Sequence, residues 1–336
     1  MEARRTLRSL PPCARSLEEA LAIGPLLLAS AAREDEAYFS ASSIEGSGLV
    51  LGAAQRAGRV VDMQACEAAG VRVLRRSTTG TAAYLGGRSI LWSIALPGVA
   101  SLMADATPRT LLNRNARPFL RSLTSAGLQA NYFGREWIAI KRAPAALLGF
   151  DVTPGGAVLI EVIAGFDAPI AIPDELATPI ERSTERWRGR PPEALASLLS
   201  APVDPLDLAR RVAEGVARHA GLASEEVSLD APLVPARSIT DPLDPLPAGL
   251  TPAPPLRVPI GWIEAAASAP LAGEPQRAWL GGDILAPRWL LADLARAELS
   301  MIENGGGSEP PLEGASLNDL REAIRQALTH RAPTHR

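Results

Sequence analysis

The sequence predicts an α+β fold, in which helices flank a mixed central β-sheet and a small C-terminal α+β unit follows. Helical and strand-like patterns alternate irregularly over the first ~175 residues, unlike a regular βαβ series. Asp230–Pro259 is crowded with proline, which is typical of a semi-rigid connector. Helical and strand patterns resume after it. We therefore expect a large domain at 1–200, a helix and Pro-rich connector at 201–255, and a small accessory domain at 256–336.

The large domain contains periodic segments bounded by helix caps and turn residues. Helices are predicted at Leu17–Arg33 with Ser16 as cap, Asp62–Gly70 and Thr107–Gly127, and another in the connector at Asp207–Ala220. Strands are predicted at Gly48–Gly52, Val71–Leu74, Ser89–Leu96, Trp137–Arg142 and Ala157–Ile163, with a Pro/Gly turn region between the last two.

The accessory domain is expected to pair two strands and pack two helices on them. The predicted strands are Val258–Ala267 and Arg277–Ile284, and the predicted helices are Pro287–Leu299 and Ser316–Leu328. Asn304–Gly307 predicts a flexible turn between the helices.

Composition excludes several classes of partner. Hydrophobic residues make up 47% of the 336 residues and charged residues 21%, as in ordinary globular proteins. The net charge of −3 gives no electrostatic footprint for nucleic acid. No apolar run reaches the ~18 residues that a membrane-spanning helix needs. We expect a cytoplasmic protein that binds neither nucleic acid nor membrane.

Cysteine and histidine are too rare in this sequence to favour a metal site or a cysteine nucleophile. Cys13 and Cys66 are the two cysteines, far apart in sequence and outside any metal-binding motif, so no metal site is predicted. Cys66 is expected in the core and Cys13 in a mobile segment. A cysteine nucleophile would give an ATP-independent acyl transferase, but no histidine lies near either thiol in sequence.

Arg75 and Arg76 end a predicted strand and lead into a turn of small residues, Ser77–Ala82. Backbone N–H groups in such a turn approach anions closely, and guanidinium groups add charge-assisted hydrogen bonds. The pattern therefore favours binding of a phosphate or carboxylate. The alternative is a structural turn whose arginines face solvent and pair with an acidic neighbour such as Asp62 or Glu67.

These segments resemble the lipoate–protein ligases of the lipoyl and biotinyl ligase superfamily. Leu51–Gln55 resembles the family's first strand-end motif, and Arg75–Tyr84 resembles its Arg-Arg and small-residue loop at matching spacing. Gly134–Ile140 is similar to its Gly-Arg-Asn-Asp strand. The tail segments Gly261–Glu264 and Gly282–Ile284 resemble its accessory domain.

The resemblance implies ATP-dependent attachment of a lipoyl or octanoyl group to a lysine of a carrier domain, in a 2-oxoacid dehydrogenase or a glycine-cleavage protein. ATP with Mg²⁺ and lipoate or octanoate would be the cofactors and substrates. Lys141, the sole lysine, would be the catalytic residue that stabilises developing charge. The implied substrate- and adenylate-binding residues are Gly52, Gln55, Arg75, Arg76, Thr78, Thr79, Gly80, Thr81 and Ala82.

The chain departs from the family pattern at positions that carry chemistry. Thr79 and Thr81 replace loop glycines, and their Cβ atoms narrow the approach of a phosphate. Leu159–Glu161 replaces a His-His-Gly element, and Ala146–Gly149 stands where the catalytic lysine motif is expected. Two hypotheses remain: a ligase with altered chemistry, or an inactive ligase-like protein that binds an acyl group, a nucleotide or a carrier domain.

Two further positions keep alternative interpretations. Lys141 is either a surface lysine at a strand end beside Arg142, or a group that a shortened hairpin brings to the loop. Glu161 and Asp167 either orient an arginine or a ligand amine, or occupy plain turn and edge positions.

Overall fold

The computed structural model describes residues 6–133, 136–229, 231–269, 276–296, 310–313 and 315–329. Its helices are α1 Leu17–Glu34, α2 Ala57–Val60, α3 Met63–Ala68, α4 Leu111–Ser125, α5 Pro179–Arg182, α6 Leu195–Leu198, α7 Pro205–Ala220, α8 Arg288–Arg296 and α9 Leu317–Thr329. Its strands are β1 Thr6–Ser9, β2 Cys13–Arg15, β3 Ala37–Ile44, β4 Ser47–Leu51, β5 Val73–Arg75, β6 Ala83–Gly86, β7 Ser89–Leu96, β8 Ala130–Tyr132, β9 Trp137–Ile140, β10 Ala143–Val152, β11 Val158–Gly165, β12 Ala223–Glu226, β13 Thr251–Pro252, β14 Leu256–Val258, β15 Gly261–Ala267 and β16 Ala278–Gly282. The predicted turn Asn304–Gly307 and the end of the predicted helix Pro287–Leu299 lie outside the described residues.

A mixed sheet forms the centre of the molecule. Its order across the described residues is β12-β1-β3-β7-β11-β10-β9-β8, and β2 pairs with β3 beside this path. The strands from β3 to β9 pair antiparallel in this order, whereas β1 pairs parallel with both β3 and β12. The predicted α+β fold with a mixed central sheet is confirmed.

Helices cover both faces of this main sheet. On one face α1 packs against β3, β7 and β11. Its N-terminus carries the predicted cap, because the Ser16 hydroxyl accepts from the Glu19 N–H and the Glu19 carboxylate accepts from the Ser16 N–H. On the other face α4 and α7 pack together, with Phe119 of α4 edge-on to Trp92 of β7 at 5.1 Å between ring centroids.

Two long central strands were absent from the sequence-based prediction. The Pro/Gly turn region expected before Ala157–Ile163 is in fact β10, a fully buried strand. Pro144 misled the prediction because proline breaks ladders, but here it lies at a register shift near the strand start. The second missed strand, β3, lies at the sheet centre. Cys13 is also in a strand rather than in a mobile segment, whereas Cys66 is buried as predicted.

Two smaller sheets flank the main one. β4 pairs parallel with β5 and antiparallel with β6, forming the sheet that carries the candidate loop. In the second, β15 pairs with β16 along one edge and with β13 and β14 along the other, and α8 and α9 pack on it. The expected strand pair and helices of the C-terminal unit are confirmed.

The C-terminal unit is joined to the main sheet by a continuous apolar core. One cluster of buried side chains includes Leu148 and Phe150 of β10 together with Ile284 and Leu285, which follow β16. The helix predicted in the connector, α7, packs on the main sheet against β3 and β7. The domain boundaries at residues 200 and 255 stay a prediction.

Candidate functional site

The small-residue loop, Ser77–Ala82, links β5 to β6 and lies between β10 and the segment after β16. Thr79 holds it on both sides. Its N–H donates to the Phe150 carbonyl at 3.0 Å, and its hydroxyl lies 2.9 Å from that oxygen and 2.8 Å from the Ala286 carbonyl oxygen. The Ala286 N–H also donates to the hydroxyl, at 3.1 Å. The C-terminal unit therefore clamps the loop against the main sheet.

Beyond the half-buried Ser77, the loop is closed to solvent. Thr78 and Thr79 are 0% exposed, Thr81 is 1% exposed and Ala82 is 2% exposed. Gly52 makes this closure possible, because a Cβ there would lie 2.0 Å from the Gly80 carbonyl oxygen. The structure thus brings the predicted glycines and small loop residues together. They pack against one another and leave no space between them for a ligand.

Arg75 is bound within the protein. Its Nη1 donates to the Gly52 carbonyl at 2.8 Å and to the Gln55 carbonyl at 2.7 Å. Its Nε and Nη2 donate to the Asp244 carboxylate of the Pro-rich connector. Burial lowers the pKa of Arg75, and the Asp244 charge offsets part of this effect. The expected pairing with an acidic residue exists, but the partner is Asp244.

Arg76 is fully buried under the loop. Its Nη2 donates to the Thr81 carbonyl at 3.0 Å and to the Leu148 carbonyl at 3.3 Å. Burial lowers the pKa of Arg76 to about 10, and the nearby Glu161 carboxyl offsets part of the effect. Arg76 therefore contacts the loop itself, whereas Arg75 contacts the backbone at Gly52 and Gln55 and the connector.

Glu161 is a site residue whose burial the sequence did not indicate. It lies on the central strand β11, rather than at an edge or turn, and is 0% exposed. The Thr78 hydroxyl donates to its Oε2 at 2.6 Å. Burial raises the pKa of Glu161 above its ordinary value, although the Thr78 hydrogen bond and the Arg76 charge oppose this. Asp167, by contrast, forms an exposed ion pair with Arg88.

Gln55 links the loop region to the C-terminal unit. Its Oε1 accepts from the Gly52 N–H at 2.8 Å, and its Nε2 donates to the Asp283 carboxylate at 2.5 Å. Asp283 also accepts from Arg59 at 2.5 Å and lies 3.4 Å from Arg186. Burial alone would raise the pKa of Asp283, but the two guanidinium charges hold it below its ordinary value.

Asp283 belongs to a buried ion cluster that the sequence analysis missed. Arg59 Nη1 lies 3.3 Å from the Glu181 carboxylate, and its Nε lies 3.1 Å from that of Glu264. Two further arginines belong to the cluster: Arg186, 2.6 Å from Glu181, and Arg56, 2.7 Å from Glu264. Burial disfavours the charge on Arg59, yet the surrounding carboxylates outweigh it and raise the pKa of Arg59. No local motif signals this cluster, because its members are far apart in sequence.

Lys141 lies away from the loop. It is exposed in the turn between β9 and β10 with a φ of 48°, and its N–H donates to the Gln129 carbonyl at 3.0 Å. The loop contacts β10 at Leu148 and Phe150, so about 20 Å of strand separates it from that turn. The structure does not bring Lys141 to the loop, and its catalytic role stays a prediction.

An open cavity of about 540 Å³ lies beside the end of the loop. Ala82 and Ile172 line its apolar part, while Trp187 and Arg188 line its outer wall. Arg188 also lines two adjoining depressions of about 330 and 300 Å³. Glu185 and Arg188 both have φ values near 50°, so the segment between them holds an unusual backbone conformation. This surface can receive a partner without opening the loop.

ATP does not fit the loop as it stands. The Thr79 N–H donates to Phe150, and a Cβ at Gly80 would lie 2.7 Å from Arg76 Nη2, so protein atoms fill the space in which a phosphate would approach. Within the described ranges, no group of three or more His, Cys, Asp or Glu side chains is arranged to hold a metal ion. None of the described helices is long and apolar enough to span a membrane.

Solved structures identify the fold. LipL1 of P. falciparum, solved in complex with lipoate, superposes with a TM-score of 0.67 at 12% identity, over 96% of this chain and 100% of that one. The chain has the fold of the lipoate–protein ligases. A bipartite lipoate–protein ligase of Thermoplasma acidophilum, studied with its E2 lipoyl domain, gives 0.52 at 14% identity over 66% of this chain and 88% of that one.

A third structure with the lipoate–protein ligase fold is a lipoate–protein ligase A bound with ATP. Its TM-score is 0.51 at 15% identity, over 67% of this chain and 90% of that one. No family model matches the sequence, and no curated protein matches it. The predicted resemblance is thus confirmed at the level of the fold. The match to LipL1 extends over 96% of this chain and so includes the C-terminal unit.

Proposed function

We propose that this protein recognises a lipoyl carrier domain and does not activate an acyl group with ATP. The observation that carries the proposal is the closed loop, whose two arginines bind protein atoms instead of facing a cleft. In a ligase, the loop N–H groups and the two arginines would have to be free to stabilise the negative charge that develops during acyl activation. A protein that only recognises the acceptor domain does not need them.

Two observations support a carrier domain as the partner. The Thermoplasma ligase with the same fold was studied together with its E2 lipoyl domain. In this chain, Trp187 and Arg188 line adjoining open depressions beside the closed loop. Aromatic and arginine side chains are enriched at protein interfaces, so this surface has the composition of a docking site.

The second candidate function is ATP-dependent attachment of lipoyl or octanoyl groups to the carrier lysine. It is favoured by the match to LipL1 over nearly the whole chain, including the C-terminal unit. It requires ATP, Mg²⁺ and a loop that opens, because the closed loop leaves no space for a nucleotide. Lys141 is the residue proposed to stabilise charge in this case.

The test measures binding and activation separately on the full chain. Calorimetric titration with a lipoyl carrier domain of a 2-oxoacid dehydrogenase or a glycine-cleavage protein should give saturable binding. Pyrophosphate release with ATP, Mg²⁺ and octanoate or lipoate should not exceed the protein-free blank. Pyrophosphate release that depends on added octanoate or lipoate would establish the second candidate. If neither carrier domain binds, the first candidate is overturned.

Matched variants locate each function. Arg188→Glu reverses a charge on the proposed docking surface and should weaken carrier binding at least tenfold, whereas Lys141→Ala should leave it unchanged. If pyrophosphate is released, Lys141→Ala should lower the rate at least tenfold and Arg142→Ala, in the same turn, should not. A near-normal rate in Lys141→Ala would remove that lysine from the chemistry.

A further inference from the structure

Glu161 lies in a polar row that crosses the face of the main sheet beneath α1. In the register, Ser40 faces Ser93, Ser93 faces Glu161, and Glu161 faces Gly149. Directly paired residues of antiparallel strands project from the same face of a sheet. The row separates two apolar clusters, which include Leu21 and Ile163 on one side and Leu27 and Leu159 on the other. A carboxyl at this place is therefore surrounded by core.

Two glycines leave the space that the buried charges occupy. A Cβ at Gly24 of α1 would lie 2.5 Å from Glu161 Oε1. A Cβ at Gly149 would lie 2.7 Å from Arg76 Cζ and 2.6 Å from Thr78 Oγ1. Any larger residue at these positions would displace the carboxyl or the guanidinium. The surrounding backbone thus encloses both groups closely.

The enclosed groups contain more hydrogen-bond donors than acceptors. Glu161 Oε2 accepts from Thr78, and the other carboxyl oxygen has no partner. Arg76 Nε and Nη1, Ser77 Oγ and Thr81 Oγ1 are also buried without a partner. Buried polar atoms without partners are uncommon in native proteins. Thr78 therefore supplies the direct hydrogen bond to the carboxyl, and the Arg76 guanidinium supplies a nearby positive charge without pairing with it.

We propose that Thr78, beside the positive charge of Arg76, forms a carboxylate-binding site that the chain's own Glu161 carboxyl occupies. A free carboxylic acid meets this site already occupied, so the head group of lipoate or octanoate does not reach Thr78 while Glu161 is in place. This inference goes beyond the proposed function and does not depend on it. In this view the Glu161 carboxyl takes the place of a ligand carboxylate, which an apolar core residue could not do.

Acetate is the probe, because its four heavy atoms match the part of Glu161 that an alanine lacks. Glu161→Ala should unfold at a lower temperature than the wild type in sodium chloride. At about ten times the dissociation constant of acetate, replacing chloride with acetate at equal ionic strength should raise its midpoint by about 2–3 °C. The wild type should gain less than 1 °C, since its site is filled.

Thr78→Val in the Glu161→Ala background keeps the volume and removes the hydroxyl donor, so it should abolish most of the gain from acetate. An equal gain with neutral acetamide, or an equal gain in the wild type, would overturn the proposal. Should Glu161→Ala be unfolded in chloride, recovery of its native circular-dichroism spectrum in acetate supports the site. Failure to fold in both salts counts against a site that a small carboxylate can fill.

Discussion

At the scale of single residues, glycine decides how closely the loop approaches its neighbours. Gly52 was expected among the substrate- and adenylate-binding residues, but in the structure the Gly80 carbonyl packs directly against it. Gly149 similarly leaves room for the Arg76 guanidinium. The same residue type therefore serves either ligand binding or self-packing, and only the neighbouring atoms distinguish the two.

Gly52→Ala should destabilise the protein by about 3 kcal/mol, because its Cβ overlaps a backbone oxygen that has no space to move into. Chemical denaturation gives the free energy of unfolding. Gly155→Ala is the matched control, since the nearest atom to its Cβ lies 3.8 Å away, and its effect should stay below about 0.5 kcal/mol. Equal effects of the two variants would show that Gly52 is not under this constraint.

At the scale of elements, a half-buried tyrosine–carboxyl contact joins β8 to the segment before α9. The Tyr132 hydroxyl donates to Glu313 at 2.5 Å, and the Glu313 N–H donates to the Leu285 carbonyl at 2.9 Å. Burial raises the pKa of Glu313, and the Tyr132 hydrogen bond offsets part of this rise. The edge of the main sheet and the C-terminal unit thus meet at a carboxyl that favours its neutral form.

The net contribution of Glu313 to stability should be greatest in acid, because burial disfavours its charged form more than the Tyr132 hydrogen bond favours it. A carboxyl whose pKa is higher in the folded than in the unfolded state contributes full stability below about pH 4.5, and this contribution is lost as pH rises through the folded pKa. Wild-type stability relative to Glu313→Gln should therefore be greatest in acid and fall towards neutral pH. Denaturation at pH 4, 5.5 and 7 measures the difference. A wild-type advantage over Glu313→Gln that grows with pH would contradict the sign.

At the scale of the whole molecule, the buried ion cluster around Arg59 joins the main and C-terminal units. Glu264 and Asp283 come from the second unit and Glu181 from the first, and each pairs with Arg59. Burying so many charges is favourable only when each has a partner. The cluster therefore fixes the relative position of the two units and with it the closure of the loop.

Arg59→Met should cost about 3–5 kcal/mol, because it leaves buried carboxylates without their partner. Arg88→Met removes the exposed pair with Asp167 and should cost much less than Arg59→Met. Denaturant unfolding compares the two variants on the same scale. A loss in Arg59→Met no greater than that in Arg88→Met would show that the cluster does not hold the units together.

Local features of the sequence were enough to predict the fold class, most helices, the strand pair of the C-terminal unit and the turn of small residues beside Arg75 and Arg76. These features follow from local rules: a cap such as Ser16, apolar periodicity, and a turn of residues with small side chains. β10 was missed because Pro144 and Gly149 are strand breakers by local rules. Its burial from both faces compensates for that weak propensity.

The contacts of the candidate loop and of Arg75 follow from tertiary packing alone. Asp244, Glu161 and Ala286 are distant in sequence from Arg75, Thr78 and Thr79, which donate hydrogen bonds to them, and no short-range pattern pairs them. The same guanidinium groups would serve an external anion if those partners lay elsewhere. The sequence thus specifies which hydrogen-bond donors are present. The packing of three separate segments decides that these donors bind carbonyl and carboxylate groups of the protein instead of facing an open cleft.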